Sequence, residues 1–256
     1  MKKQVRYAIF IVLILMVSMI SMSSSNPGNQ QQNQQAKDQA IKSVIVNQLI
    51  ENKIMQGNNI QVTVSNDTIT LNGAVSTLAS KRMAVQDAHK VAEGYQIVNN
   101  ITVQAPQLTD KALADAVLKR LSNHVFYSIF DWIIVNADNG VVTLAGWVYV
   151  PWHKTEFVHQ AEKVAGVKKL VDDIKVLPTS STDDQIRERA ARLIYNNPTF
   201  ENYANNVNPP IHIIVDNGHV ILEGVVDSNY AKGLAGNIVR FDTDALSVDN
   251  QLMVAK

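Results

Sequence analysis

The sequence predicts an α+β fold: three tandem αββαβ modules, each a small three-stranded sheet with two helices on one face. The first observation is a trio of glycines, Gly73, Gly146 and Gly224, each closing a hydrophobic alternation in "TITLNG", "VVTLAG" and "VILEG". The second is a constant interval from each glycine to an apolar residue of a later strand. Gly73 to Ile101, Gly146 to Ile174 and Gly224 to Leu252 are all 28 residues. The glycines recur after 73 and then 78 residues, too long for a solenoid repeat and suited to a small domain. A ferredoxin-like unit needs a fourth strand, for which the spacing leaves no sequence.

Residues 1–23 come before the repeats. Lys2, Lys3 and Arg6 precede an apolar run over 7–20, and small polar residues follow it. This is the pattern of a bacterial export signal. As a helix the run would span about 21 Å, short of the ~30 Å hydrocarbon core. Two outcomes stay open: cleavage after Ser23 or Ser25, or retention of residues 7–22 as an inner-membrane anchor. Both put the remaining chain outside the cytoplasm. Residues 24–37 include "NQQQNQQ", too polar to bury a core, and are expected to form a flexible linker. The modules are then expected over 38–106, 107–178 and 179–256.

Each module opens with an amphipathic helix, marked by Ile41, Ile45 and Leu49, by Leu113, Val117 and Leu121, and by Ile186, Ala190 and Ile194. Thr109 and Thr182 are placed to cap these helices, and Gln185 completes a capping box with Thr182. Asp38, Asp110 and Asp183 lie near the helix starts, where the dipole favours negative charge. A hairpin follows. Its apolar positions are Val62, Val64, Ile69 and Leu71 in the first module, Ile133, Val135, Val142 and Leu144 in the second, and Ile213, Val215, Val220 and Leu222 in the third. Turns fall at Asn66-Asp67, at Asp138-Asn139-Gly140 and at Asn217-Gly218. A second helix is predicted over 76–91, 151–164 and 228–239, with Pro151 suited to a first helical turn. Strands over 97–103, 170–176 and 248–254 close the modules. Gly94 and Gly166 end the preceding helices, whereas the third module has Asp242-Thr243-Asp244 there.

The repeated text resembles the BON domain, named for bacterial OsmY and nodulation proteins. "ITLNGAV" and "VTLAGWV", the helix after each, and the closing strand from Gly166-Val167 to Asp172 carry the resemblance. It extends from Asp38 to Lys256. The resemblance implies a periplasmic, stress-induced envelope protein of a Gram-negative bacterium that associates with phospholipid membrane or with envelope proteins. It implies no shared catalytic residues. The competing expectation is a structural or interaction subunit of a larger, secretion-type envelope assembly.

Composition narrows the chemistry. The 23 basic and 23 acidic residues balance, so no polyanion-binding surface is expected and nucleic acid is not a predicted partner. With no cysteine, disulfides, thiolate metal sites, a cysteine nucleophile and a lipidated cysteine are excluded. No serine lies in a Gly-x-Ser-x-Gly context, and no phosphate loop or dinucleotide fingerprint occurs. His153 and His159, and His212 and His219, lack ligand spacing, so the histidines are read as solvated and no metal or other cofactor is expected. Asn99, Asp172 and Asn250 hold one position in the closing strands and are expected to satisfy a local backbone group.

The aromatic residues distinguish the second module. It holds all three tryptophans, Trp132, Trp147 and Trp152, together with Phe126, Tyr127, Phe130, Tyr149 and Phe157. Strand parity turns Trp132, Ile134, Val141, Trp147 and Tyr149 to the face opposite the helices. A tryptophan buries about 200 Å², equivalent to ~5 kcal/mol at ~25 cal/mol per Å², so this face is expected to be covered. The candidate covers are a neighbouring module, a second copy in a homo-oligomer, lipid headgroups or an unfolded client. Phe126, Tyr127, Phe130, Trp132, Ile134, Trp147, Tyr149 and Trp152 are accordingly the candidate lipid- or partner-binding residues.

Overall fold

The computed structural model describes residues 27–104 and 106–255. The apolar run over 7–20 lies outside them. The described residues form two compact units, divided after Gln104; the first contains one αββαβ module and the second contains two.

In the first module, helix α1 (Pro27–Glu51) is followed by β1 (Asn59–Ser65), β2 (Thr68–Val75), α2 (Leu78–Val91) and β3 (Gln96–Val103). Helix α1 takes in residues 29–35, which corrects the expectation of a flexible linker there. Glutamine and alanine are good helix formers, and the helix is anchored downstream by Ile45 and Leu49, both fully buried. Gln34 adds a bond to Asp38 one turn on, at 3.0 Å. Strands β1 and β2 form an antiparallel hairpin, and β3 lies parallel to β2, so β2 is central. The core joins Ile45 and Leu49 to Ile60, Val62, Ile69, Leu71, Ala84, Ala88 and Ile101.

The second unit repeats this plan twice. Its first copy is α3 (Asp110–Ser122), β4 (Trp132–Asp138), β5 (Val141–Val148), α4 (Pro151–Glu162) and β6 (Lys169–Val176). Its second copy is α5 (Ser181–Tyr195), a 3-10 turn with the short α6 (Glu201–Ala204), β7 (Ile211–Asp216), β8 (His219–Val226), α7 (Asn229–Asp242), β9 (Ser247–Asn250) and β10 (Met253–Val254). The last two strands both pair parallel to β8 and together occupy the place of a single closing strand.

The register explains the constant interval read from the sequence. Gly73 and Ile101 are direct partners across β2 and β3, as are Gly146 and Ile174 across β5 and β6. The helical crossover between them is therefore of fixed length. Glycine is required because its φ is positive (131°, 104° and 122°), and a Cβ there would collide with the carbonyl of Asn59 or Trp132 on the first strand of the hairpin, or of Pro210 just before it.

One recurring polar position serves all three modules and a second serves the second and third modules. Asn99, Asp172 and Asn250 each accept, through Oδ1, the amide two residues ahead, at 3.1, 3.1 and 3.3 Å. In the third module this coincides with the break between β9 and β10. Asp110 accepts the Asn139 amide at 2.8 Å, and the buried Asp183 accepts Asn217 and Gly218 amides at 3.0 and 2.8 Å. These aspartates thus tie the opening helix to the hairpin turn. Thr109 caps α3 as the sequence suggests, but α5 is capped by Ser180, not Thr182; the helix begins two residues earlier than the Thr-x-x-Gln pattern implies.

Candidate interaction surface

The candidate residues cluster around the loop over residues 123–131, between α3 and β4. The loop is built on a carboxylate that water does not reach. Asp131 is fully buried and accepts from the Ser128 amide (3.1 Å) and hydroxyl (2.8 Å) and from the Tyr149 amide at the end of β5 (2.9 Å). It also meets His153 Nδ1 at 3.1 Å, in the first turn of α4. A carboxylate has no proton to give, so Nδ1 carries one and donates. The positive end of α4 favours the same charge. One buried aspartate therefore fastens the loop to a strand end and a helix start.

His153 is 7 % exposed and His212 only 3 % exposed, which corrects the reading of both as solvated. A helical signal was present in the sequence: His153, Phe157 and Ala161 fall at i, i+4 and i+8, and all three lie on the buried face of α4. His124 is also held here, with Nε2 3.3 Å from the Glu156 carboxylate. Hydrogen bonding from Gln160, and then the proximity of His124, hold the Glu156 carboxyl below its ordinary range. Among the described residues no group of three or more potential ligands could hold a metal ion.

Six of the eight candidate residues divide into two sets. Tyr127, Phe130, Trp132 and Tyr149 turn toward the third module. The Ile213 amide of β7 donates to the Ile129 carbonyl at 2.7 Å, so the loop covers the outer edge of the third sheet, where an open strand would otherwise invite pairing. Phe130 packs against the third module's core and meets the Tyr149 ring edge-on at 5.9 Å. Arg187 of α5 lies over that ring at 4.8 Å. This guanidinium is buried, donating to Asp184 at 2.6 Å and to the Val215 carbonyl at 2.5 Å. Tyr127 and Trp132 flank the His212 ring at 5.4 and 5.0 Å. Tyr127 OH accepts the Ile133 amide, and burial pushes its phenol well above the usual range. Both faces of β7 are consequently buried, whereas β1 alternates between buried and exposed positions.

Phe126 and Trp152 form the other set. Their rings meet edge to face at 4.5 Å and remain 42 % and 48 % exposed. Trp152 also meets His153 edge-on at 4.4 Å, so the pair rests on the Asp131–His153 bond. Ile134, 41 % exposed, and the half-buried Trp147, the cross-strand partner of Trp132, complete the outer face of β4 and β5. The sequence offers no sign of this division. The corresponding segment of the third module turns inward, burying Phe200 and Tyr203 in its own core.

The BON domain model matches residues 37–105, 109–178 and 182–256. The chain belongs to the BON domain family. Its three BON modules are the αββαβ units described above. None of the curated proteins compared with the chain matches it. Among solved structures, the chain is similar to the C-terminal domain of CdsD, described as the structural protein of the type III secretion system of Chlamydia trachomatis. The identity is 11 %, with 84 % of this chain and 96 % of that chain covered, at a TM-score of 0.25. A second CdsD structure from the same organism gives 15 % identity, 81 % and 92 % coverage, and a TM-score of 0.23.

Proposed function

We propose that this BON-domain chain is a non-enzymatic envelope-maintenance protein, exported to the periplasm, that associates with phospholipid membrane through its second module. The observation that carries this reading is the exposed Phe126–Trp152 pair. Tryptophan and its aromatic neighbours favour the level of lipid headgroups, and Val125, 83 % exposed, extends the apolar tip. Phe126 sits on the loop and Trp152 in the first turn of α4, the two elements that the buried carboxylate joins, so little ordering accompanies contact. Trp147 and Ile134 supply an adjoining apolar surface. Tyr127, Phe130, Trp132 and Tyr149 support the loop from the side of the third module.

Flotation of the full chain with vesicles of phosphatidylethanolamine and phosphatidylglycerol tests the proposal. The wild-type chain is expected to float, and F126A/W152A to lose at least tenfold in vesicle affinity. A wild-type chain that ignores vesicles and sediments as a stable oligomer overturns the proposal in favour of an envelope-assembly subunit, or of envelope proteins as the partner.

A further inference from the structure

We propose that His212 makes the seam between the second and third BON modules acid-labile, so that mild acidification releases the 123–131 loop from strand β7. The proposal does not depend on membrane association.

His212 lies on the outer face of β7, enclosed by the rings of Tyr127 and Trp132. Its Nδ1 is buried and meets no hydrogen-bonding partner. A neutral ring leaves there only an unused acceptor. A second proton would place a donor, and a full charge, in a dry site with no acceptor for it.

The groups around the ring act in both directions. From the loop, the main-chain groups of Asp131 and Ser128 and the Asp131 carboxylate favour the charge. From β8, Glu223 is the cross-strand partner of His212, and burial, with Asp249 nearby, holds its carboxyl above the ordinary range. Tyr127 and Trp132 bring no charge at neutral pH. Burial outweighs the favourable groups and moves the imidazole below its ordinary value of 6.5. The docked seam thus binds fewer protons than the open one. Its stability is complete above about pH 6.5 and declines as pH falls below that value.

The other side of the loop behaves differently. His153 presents an Nδ1–H to Asp131 whether the ring is neutral or protonated. Acid therefore leaves the loop fastened to the second module while its contact with the third opens. The edge of β7 becomes available at the same moment, because the Ile213 amide loses the Ile129 carbonyl.

Amide hydrogen exchange of the full chain between pH 7.5 and 5.5, corrected for intrinsic rates, tests this directly. The Ile213 amide should lose protection by up to tenfold per pH unit below about 6.5, the limit for one linked proton. The Tyr149 amide, held by Asp131, and the central strand β8 should stay protected. In H212Q the Ile213 protection should not vary with pH. A wild-type profile without pH dependence, an equal slope in H212Q, or parallel loss at Tyr149 and β8 would overturn the proposal. If H212Q leaves Ile213 unprotected already at pH 7.5, the wild-type imidazole decides by NMR titration: a His212 midpoint below 6.5 that coincides with Ile213 exposure supports the latch, and any other midpoint sinks it.

Discussion

The carboxylate of Asp131 and Nδ1 of His153 meet 3.1 Å apart in the interior of the second BON module. They join a loop that begins eight residues before Asp131, at Asn123, to the first turn of a helix that begins at Pro151. Everything placed on that loop inherits its position from this bond. On the loop, Phe126 is held outward beside Trp152 of α4, and Ile129 and Phe130 are held against the third module.

Removing the carboxylate should therefore affect stability and seam together. D131A leaves the Ser128 and Tyr149 amides and the His153 donor without their acceptor, a loss of about 3 kcal/mol. Chemical denaturation should show this cost in the second unit, residues 105–256, with the first unit's transition unchanged. Equal destabilisation of both units would contradict the arrangement.

Tyr149 and Trp147 lie two residues apart with different surroundings. Y149A uncovers the buried Arg187 guanidinium and removes the Phe130 contact, so a loss of about 2 kcal/mol is expected. W147A removes a half-buried ring and should cost roughly 1 kcal/mol. F126A/W152A, at the exposed tip, should change stability by less than about 1 kcal/mol. Thermal melts of the three variants rank them.

The repeat glycines are backbone requirements. G146A combines a positive φ with a collision against the Trp132 carbonyl, and a cost of about 3 kcal/mol or more is expected. Gly57 also has a positive φ, of 70°, but open space around it. G57A should cost only about 1 kcal/mol. Urea midpoints of the two variants measure the difference.

Alkaline pH should expose the buried phenols. Burial raises the Tyr127 and Tyr195 hydroxyls well above their ordinary value of 10.0, despite backbone bonds that oppose it. The folded state then holds protons that the unfolded state releases. Stability from these groups is complete below about pH 10 and declines as pH rises above it. Spectrophotometric titration should show both phenols ionising only as the second unit unfolds. Y127F should remove part of that pH dependence.

The sequence alone determined the modular plan, because its determinants are local. Glycine at Gly73, Gly146 and Gly224 answers to a backbone approach within one hairpin, and the interval to Ile101 and Ile174 is the length of one crossover. The shared positions of Asn99, Asp172 and Asn250 likewise serve amides two residues away. Period-two alternation also assigned Trp132, Trp147 and Tyr149 to the outer face of the second sheet. What covers that face was decided only by the tertiary structure. Ile129 reaches Ile213, and Tyr149 reaches Arg187, across separations that no periodicity encodes. The same holds for His153, whose surroundings depend on an aspartate 22 residues earlier. Segment 29–35 departs from its sequence expectation for a related reason: its composition opposes burial, but a helix anchored at Ile45 and Leu49 extends through it without needing burial.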